Sequence, residues 1–179
     1  MKAEEVILKV KDMISYIIDD DIRIYHKYMS QLKPNSFVID LATGWGKSVV
    51  AMALSNPNVI IFTIDNGDQP KVNNWAKDLV DYKTKINDEF KKHNVWNVLF
   101  KIGDFLTDKV PFEKYDLISF DTPIPHEKTV LKRWLRSLKP GGIALVRNYK
   151  RFKEEADDVL KGYEYLELGG LIQVVKKPL

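Results

Sequence analysis

The 179-residue chain contains no cysteine, and this absence excludes several kinds of chemistry. Without a thiol there is no disulfide, no thiolate nucleophile and no cysteine-ligated metal. A cysteine-free chain fits a reducing compartment, so we expect a cytoplasmic location. Excess charge is also scarce: 28 Lys and Arg stand against 25 Asp and Glu. A net charge of +3 does not indicate nucleic-acid binding by itself, although it does not exclude it.

Long hydrophobic runs are missing as well. No apolar stretch approaches the roughly 20 residues that span a bilayer. The N-terminal sequence, MKAEEVILKVKD, carries acidic residues and lacks an apolar signal-peptide core. We therefore expect no membrane partner. A hydrophobic content of 45% and a charged content of 30% are typical of globular proteins, and the length predicts a single domain over residues 1–179.

The first 33 residues are predicted to form helices. Apolar residues recur at i, i+3, i+4 and i+7 over residues 2–20, which predicts an amphipathic helix. Asp19, Asp20 and Asp21 interrupt this pattern, and either of the last two could cap a second helix over residues 22–32. Pro34 and Asn35 predict a turn, so we divide the chain into a helical cap, residues 1–33, and a core, residues 34–179.

From residue 37 onward, short apolar runs alternate with helical patterns. The predicted strands cover residues 37–39, 59–64, 98–102, 115–120, 143–146, 163–168 and 171–175. The predicted helices cover residues 48–54, 72–93, 126–138 and 151–161. This alternation predicts a doubly wound α/β fold with a mostly parallel seven-stranded sheet. Gly169 and Gly170 between the last two strands predict a hairpin, and so an antiparallel edge.

Acidic residues follow four of these strands. They are Asp40, Asp65, Asp104 and Asp121. In open parallel sheets the ligand lies beyond the carboxyl ends of the strands, where the strand order reverses, so we expect these four side chains to surround it. A glycine turn, Ala42 to Gly46, follows the first strand, as is typical of a nucleotide-like ligand site.

The positions of two of these acids restrict the class of ligand that the site could bind. Asp65 lies 19 residues after Gly46, close to the separation of about 20 expected for a carboxylate that binds a ribose diol. It could equally be a loop acid or a helix cap. Asp40, at the mouth of the turn, would repel a pyrophosphate and would favour a cationic ligand, or it would hold the turn through backbone N–H groups. This position argues against NAD and ATP.

At this point the chain resembles the class I S-adenosylmethionine-dependent methyltransferases. The segment DLATGWG, residues 40–46, is similar to their first motif, and IFTID, residues 61–65, is similar to their second. GDF at 103–105, YDLISFD at 115–121 and LKPGGI at 138–143 are similar to the later motifs. The resemblance covers roughly residues 36–176, and it is strongest in the order and spacing of the motifs. It implies a Rossmann-like fold and S-adenosyl-L-methionine as cofactor.

The resemblance also implies roles for single residues. The turn from Gly44 to Gly46 would pass under the methionine part, with Asp40 supporting the turn or the amino end and Ser48 near the carboxylate. For the nucleoside, Asp65 would hold the ribose, Ile64 and Asn66 would flank it, Asp104 would accept from the adenine amine and Phe105 would lie beside the ring. Ala42 replaces the first glycine of the family motif, which we expect to be tolerated if its φ is negative. Lys47 is expected to be largely solvated.

The loop after the fourth strand is predicted to lie beside the reactive methyl group. Asp121 and His126 are the candidate catalytic residues, and His126 is the preferred base because imidazole titrates near pH 6.5. His126 could instead merely begin a helix. An Asp, a short loop and a His resemble the O-methyltransferase-like branch. Some members of that branch bind magnesium through an Asp-Asn pair, but here the pair reads Arg147-Asn148, so we predict no metal.

The acceptor is predicted to be a small molecule with an O or N nucleophile. A basic run, Arg147, Lys150, Arg151 and Lys153, could bind an anionic acceptor or a nucleic-acid backbone, or it could be a solvated helix start. The N-terminal helices would cover the acceptor pocket or form homodimer contacts, as such additions usually do in the family.

Two alternatives remain open at this stage. Gly46-Lys47-Ser48 matches the end of a phosphate-binding loop, with Asp121 as its magnesium-holding acid, but Leu41 stands where the first glycine is required. The chain would then be a P-loop-like NTPase. Alternatively, the fold could serve as a non-catalytic module that binds the cofactor or nucleic acid.

Overall fold

The computed structural model describes residues 1–68, 75–122 and 127–179. Its seven strands are β1 Phe37–Leu41, β2 Ile60–Asp65, β3 Val98–Ile102, β4 Tyr115–Phe120, β5 Leu138–Arg147, β6 Glu164–Gly169 and β7 Ile172–Lys176. The α-helices assigned within the described residues are α1 Ala3–Val10, α2 Asp19–Met29, α3 Lys47–Ser55, α4 Leu79–Lys92, α5 Glu127–Trp134 and α6 Lys153–Val159. Short 3-10 turns cover Leu135–Ser137 and Tyr149–Arg151.

The strands form one sheet in the order β3-β2-β1-β4-β5-β7-β6. The five strands β1 to β5 run parallel to one another, whereas β7 is antiparallel to both of its neighbours, β5 and β6. The predicted doubly wound, mostly parallel sheet with an antiparallel C-terminal hairpin is therefore confirmed. The strand order reverses between β1 and β4, and the N–H of Asp121 donates to the carbonyl of Leu41 at 3.3 Å where these two strands end.

Two hydrophobic clusters cover the two faces of the sheet. Val38, Leu117 and Leu145 belong to the cluster that includes residues of α1, α2, α3 and α4. The neighbouring positions Ile39 and Ile118 belong to the cluster that includes residues of α5 and α6. This alternation follows from the two-residue period of a strand, and both faces are apolar because helices cover both.

The N-terminal helical prediction is wrong in its boundaries. The single helix predicted over residues 2–20 ends at Val10, and the second begins at Asp19 and ends at Met29, before Leu32. The three aspartates lie inside the first turn of α2, where carboxylates are stabilised by the unpaired N–H groups. Asp21 accepts a hydrogen bond from the N–H of Ile18 at 3.3 Å. The three aspartates are therefore the first residues of α2 and do not precede it as cap residues.

Three later boundaries also differ from the predictions. The helix predicted over residues 72–93 starts only at Leu79 in the described residues, because the side chain of Asp78 accepts from the N–H groups of Val80 and Asp81 at 2.9 Å each. Its residues 72–74 lie outside the described residues. The helix predicted over 126–138 ends at Trp134, and Leu138 already pairs with Tyr115 as the start of β5.

The C-terminal elements are shifted as well. β5 carries a register shift between Leu138 and Ile143 that accommodates the predicted glycine turn within the strand. The helix predicted over residues 151–161 is shorter, Lys153–Val159, and follows a 3-10 turn. The hairpin strands agree with the prediction to within one residue at each end. No helix in the described part of the chain is both long enough and apolar enough to cross a bilayer.

Candidate active site

The turn between β1 and α3 adopts a backbone conformation that favours glycine. Ala42, Gly44 and Gly46 have φ values of 74°, 53° and 87°. The expectation that Ala42 is tolerated required a negative φ, and this requirement is not met. An alanine in the left-handed region costs roughly 1–2 kcal/mol. A Cβ added at Gly44 would meet no atom within 4 Å, so this side of the turn is open.

Asp40 lies beneath this turn and is fully buried. Its Oδ2 accepts from Thr63 Oγ1 at 3.1 Å, and that hydroxyl is 2.5 Å from the hydroxyl of Thr43 within the turn. Burial raises the pKa of Asp40 to about 8, and the nearby charges of Asp121 and Asp65 also raise it. Asp40 therefore reaches the turn through two threonines and not through backbone N–H groups.

Asp65 is bound to backbone on both sides. Its Oδ2 accepts from the N–H of Gly44 at 2.9 Å, and its Oδ1 accepts from the N–H of Gly67 at 2.6 Å. Burial raises its pKa, which these two hydrogen bonds partly oppose. The hydroxyl of Tyr82 also donates to the carbonyl of Gly44 at 2.8 Å. The carboxylate thus joins the β1 turn to the β2 turn, and the adjacent Asn66 amide donates to Asp68 at 2.7 Å.

Asp104 and Phe105 are arranged around the turn after β3. Asp104 accepts from the N–H of Leu106 at 2.8 Å and from the hydroxyl of Thr107 at 3.1 Å. The Phe105 side chain is buried in the second hydrophobic cluster, and its carbonyl accepts from Trp134 Nε1 at 2.7 Å. The ring of Phe105 therefore packs in the protein core in this structure.

A cavity of about 540 Å³ opens at the carboxyl ends of β1 and β4. Its size lies within the range of small-molecule sites. Its lining residues are Ser15, Tyr16, Ile17, Ala42, Thr43, Gly44, Trp45, Lys47, Ser48, Asp121, Thr122, Glu127, Arg147, Asn148, Arg151 and Leu171.

The cavity brings together some of the predicted site residues and leaves others out. Ala42, Gly44, Ser48 and Asp121 line it. The remaining described candidates do not, and they are Asp40, Gly46, Asp65, Asn66, Asp104 and Phe105. His126 lies outside the described residues. The segment between α1 and α2 closes one side, where the ring of Tyr16 meets that of Trp45 edge-on at 5.5 Å.

Three polar groups of the cavity wall have no hydrogen-bond or ion-pair partner among the residues that the structure describes. Lys47 is only 8% exposed, contrary to the expected solvated position, and it makes no hydrogen bond or ion pair with another described residue. Trp45 Nε1 and Glu127 Oε1 are buried and also have no hydrogen-bond partner within the described ranges 1–68, 75–122 and 127–179. Since buried polar groups are normally paired, such groups fit a site that is completed by a ligand.

Arg147 is not free to bind an anion. Its guanidinium contacts Asp21 and Asp121 at 3.0 Å each, and it donates to the carbonyl of Tyr16 at 2.5 Å. Burial alone would lower the pKa of Arg147, but the two carboxylates raise it above its ordinary value. Burial raises the pKa of Asp121 to about 6, and Arg147 counteracts this shift.

The other three residues of the basic run have different surroundings. Lys153 pairs with Asp157, Lys150 is exposed, and Arg151 is exposed at the cavity edge. Among the described residues, no group of three or more His, Asp or Glu side chains could hold a metal ion. Sequence reasoning missed Lys47 and Glu127, since a charged residue at a helix start ordinarily predicts a solvated position.

No family model and no curated protein matches the sequence. Solved structures do match the fold. A Staphylococcus aureus protein provisionally named a caffeoyl-CoA O-methyltransferase is 15% identical with a TM-score of 0.68, over 99% of this chain and 92% of that one. A Methanococcus maripaludis protein, provisionally named an S-adenosyl-L-methionine-dependent methyltransferase, is 15% identical with a TM-score of 0.66, over the same shares.

A third similar structure is M. jannaschii TYW2 in complex with AdoMet, at 15% identity and a TM-score of 0.57. It covers 90% of this chain and 76% of that one. At such identities the likeness shows the fold alone. Together with the strand order and the glycine turn at the switch point, it establishes that the chain has the fold of the class I S-adenosylmethionine-dependent methyltransferases.

Proposed function

We propose that the protein is an S-adenosylmethionine-dependent methyltransferase that acts on an O or N nucleophile of a small molecule. The observation that carries the proposal is the cavity at the β1–β4 switch point, which is lined by a glycine turn and by three polar residues that have unpaired groups among the described residues. When bound, the cofactor would supply an electrophilic methyl group on a sulfonium.

The residues at the start of α3 suit the methionine end. Lys47 supplies a buried positive charge, and Ser48 supplies a hydroxyl in the first turn of the helix, where unpaired N–H groups also favour an anion. The methionine carboxylate is therefore assigned to Lys47 and Ser48. The open side of Gly44 allows the ligand to approach the backbone closely.

The nucleoside end is assigned to the residues after β2 and β3. Asp65 uses one lone-pair site on each oxygen for backbone N–H groups, which leaves a second site on each for the ribose hydroxyls. Asp104 and Asn66 remain the proposed adenine and nucleoside contacts, and Phe105 would support this end from the core.

The acceptor is proposed to be small and anionic. Arg151 lines the cavity and has no ion-pair partner among the residues described, so it is available to an acceptor carboxylate or phosphate. Asp121 is held by Arg147 on the same side. In this arrangement the protein mainly orients the nucleophile in line with the methyl group.

Calorimetric titration tests the cofactor assignment. S-adenosylhomocysteine should bind, whereas 5′-methylthioadenosine, which lacks the amino-acid end, should bind more weakly. Lys47→Met should weaken S-adenosylhomocysteine at least about tenfold, the effect of one buried charge contact, and should leave methylthioadenosine within about twofold. Lys150→Met, at an exposed position, is the matched control. If neither the methylated nor the demethylated cofactor binds at millimolar concentration, the proposal is rejected.

The two alternatives are not favoured by the comparisons, which return methyltransferase folds. The NTPase hypothesis requires magnesium-dependent ATP binding that disappears in Lys47→Ala. A non-catalytic module would bind the cofactor without turnover, and binding to RNA or DNA would be sensitive to salt.

A further inference from the structure

Glu127 is a buried carboxyl group that makes no hydrogen bond or ion pair with another described residue. It is the first residue of α5 and is 5% exposed, the same fraction as Asp65. Asp65 accepts hydrogen bonds from backbone N–H groups on both oxygens, whereas Oε1 of Glu127 has no hydrogen-bond partner in the part of the chain that the structure describes. Burying an unpaired carboxyl group costs free energy, so its presence in a cavity wall indicates a partner that arrives with a ligand.

The charges around Glu127 come from three different elements. Asp121 at the end of β4 and Glu155 of α6 oppose its ionisation, and Arg151 favours it. Burial is the largest influence, and together these groups raise the pKa of Glu127 to about 7. Lys47 and Arg147 line the same cavity, but Arg147 is already paired with two carboxylates. Glu127 is thus near the midpoint of its titration at neutral pH.

We propose that Glu127 is the general base of the methyl transfer, a role that rests on the function proposed above. The acceptor's O–H or N–H nucleophile forms a bond to the methyl carbon, the carbon–sulfur bond breaks with its electron pair remaining on sulfur, and the proton passes to a carboxylate oxygen of Glu127. A base works best when its pKa lies near the working pH, which Glu127 satisfies. Asp121 is less suited because Arg147 holds its carboxylate.

This assignment has a consequence that needs no acceptor. A positive charge close to a carboxyl group lowers its pKa, so Glu127 should lose part of its proton when a sulfonium enters the cavity. The demethylated product carries a neutral sulfur and should release fewer protons. The difference between the two ligands therefore reports the carboxyl groups close to the sulfonium, and the part of it that disappears in Glu127→Gln belongs to Glu127.

Calorimetric titrations at pH 7 in buffers of different ionisation enthalpy measure this difference. The wild type should release about 0.3–0.5 more protons with S-adenosylmethionine than with S-adenosylhomocysteine. Glu127→Gln should remove most of the difference and leave the Kd of S-adenosylhomocysteine within about threefold. Glu155→Gln, an exposed neighbour, should retain most of it. A carbon-13 titration of the wild-type glutamates should show one pKa near 7 that is missing in Glu127→Gln.

Equal proton release for both ligands in the wild type would overturn the base assignment, as would a difference that persists undiminished in Glu127→Gln. A carbon-13 titration in which every wild-type glutamate titrates below about pH 5.5 would overturn it without any variant or ligand. Each of these outcomes leaves cofactor binding intact. Absence of binding by both ligands would instead reject the methyltransferase proposal together with its base.

Discussion

The two ends of the proposed cofactor site are built differently. At the nucleoside end, Asp65 and Asp104 already accept hydrogen bonds from their own turns. At the other end, which would hold the methionine part and the reactive methyl group and is called the methyl end below, Lys47 and Glu127 are buried. They make no hydrogen bond or ion pair with other described residues. Both ends use charged side chains at the carboxyl edge of the same sheet, so the contrast is in their partners and not in their chemistry.

This contrast distinguishes side chains that hold the loops of the site in place from buried side chains that lack a partner in the free protein. Carboxylates that bind backbone N–H groups hold loops in place with or without a ligand, and their removal should affect folding. Unpaired buried groups cost stability in the free protein, and that cost is offset only when a ligand pairs them. Arg147 is the exception at the methyl end, because it is both buried and fully paired.

Removing Arg147 should have the largest effect. Arg147→Met leaves Asp21 and Asp121 buried without their cation, which should lower the free energy of unfolding by about 3–5 kcal/mol. Urea denaturation measures the change. Lys150→Met, three residues away and exposed, should change it by less than about 0.5 kcal/mol. Adding Asp21→Asn to Arg147→Met should recover part of the loss, and a double variant with no recovery would contradict the ion-pair explanation.

Asp65 should show its structural role next. Asp65→Ala leaves the N–H groups of Gly44 and Gly67 without acceptors, so the free energy of unfolding should fall by about 2–3 kcal/mol. Asp65→Asn keeps one acceptor oxygen and should lose about half as much. Both should abolish measurable cofactor binding. If Asp65→Ala lost binding while its unfolding curve was unchanged, the carboxylate would serve the ligand alone.

The pH dependence of stability should be steeper in the wild type than in Asp40→Asn. The folded-state pKa of Asp40 is about 8, well above the ordinary value near 3.9 of an unfolded chain. The folded state therefore binds more protons between these values, and stability falls as pH rises from about 4 to 8. Asp121 and Glu127 act in the same direction through their pKa values of about 6 and 7.

Urea denaturation at pH 5 and pH 8 measures this dependence. The wild type should lose on the order of 1–3 kcal/mol over this interval, and Asp40→Asn should lose less than half as much. Asp116→Asn is a control, because Asp116 forms a partly exposed ion pair with Lys139 at 2.9 Å. Parallel stability curves for the wild type and Asp40→Asn would show that Asp40 is ionised in the folded protein.

Ala42→Gly should have the smallest effect, and it should stabilise the protein. Glycine relieves the strain at φ 74°, and after the greater entropy of the unfolded glycine chain the gain should be about 0.5 kcal/mol. Ala51→Gly, in the interior of α3, should instead cost roughly 1 kcal/mol. The same urea experiment compares them, and equal destabilisation by both changes would mean that the backbone at residue 42 is unstrained.

Much of the fold follows from local patterns. Continuous apolar runs such as Tyr115–Phe120 predict buried parallel strands, because helices must then cover both faces, and the bounds of β3 and β4 agree with the prediction. Glycine pairs and strand-end acids also mark the hairpin and the edge of the sheet that carries the cavity. A predicted helix boundary was wrong where a capping side chain, and not the apolar periodicity, set the end of the helix, as Asp78 does at the start of α4.

The site was harder to predict, because burial depends on distant segments. Lys47 is covered although it begins a helix, and the cavity that it lines includes residues of the α1–α2 segment. Arg147 was interpreted as part of a basic run, yet its partners Asp21 and Tyr16 lie more than 120 residues away in the chain. Periodicity and spacing carry no information on such pairs. The one available signal in the sequence was that Arg147 and Asp121 each follow a predicted strand, because such ends meet at one edge of a parallel sheet.

The sequence by itself determined the order of elements, the edge of the sheet where the site lies and the glycine turn, since these depend on periods of two and 3.6 residues and on the few residues that tolerate positive φ. Only the tertiary structure decided which charges at that edge are paired. Asp65 and Asp104 accept hydrogen bonds from backbone N–H groups, Arg147 pairs with two aspartates, and Lys47 and Glu127 make no hydrogen bond or ion pair with other described residues. Pairing depends on three-dimensional distance, which the packing of the N-terminal helices onto the sheet sets.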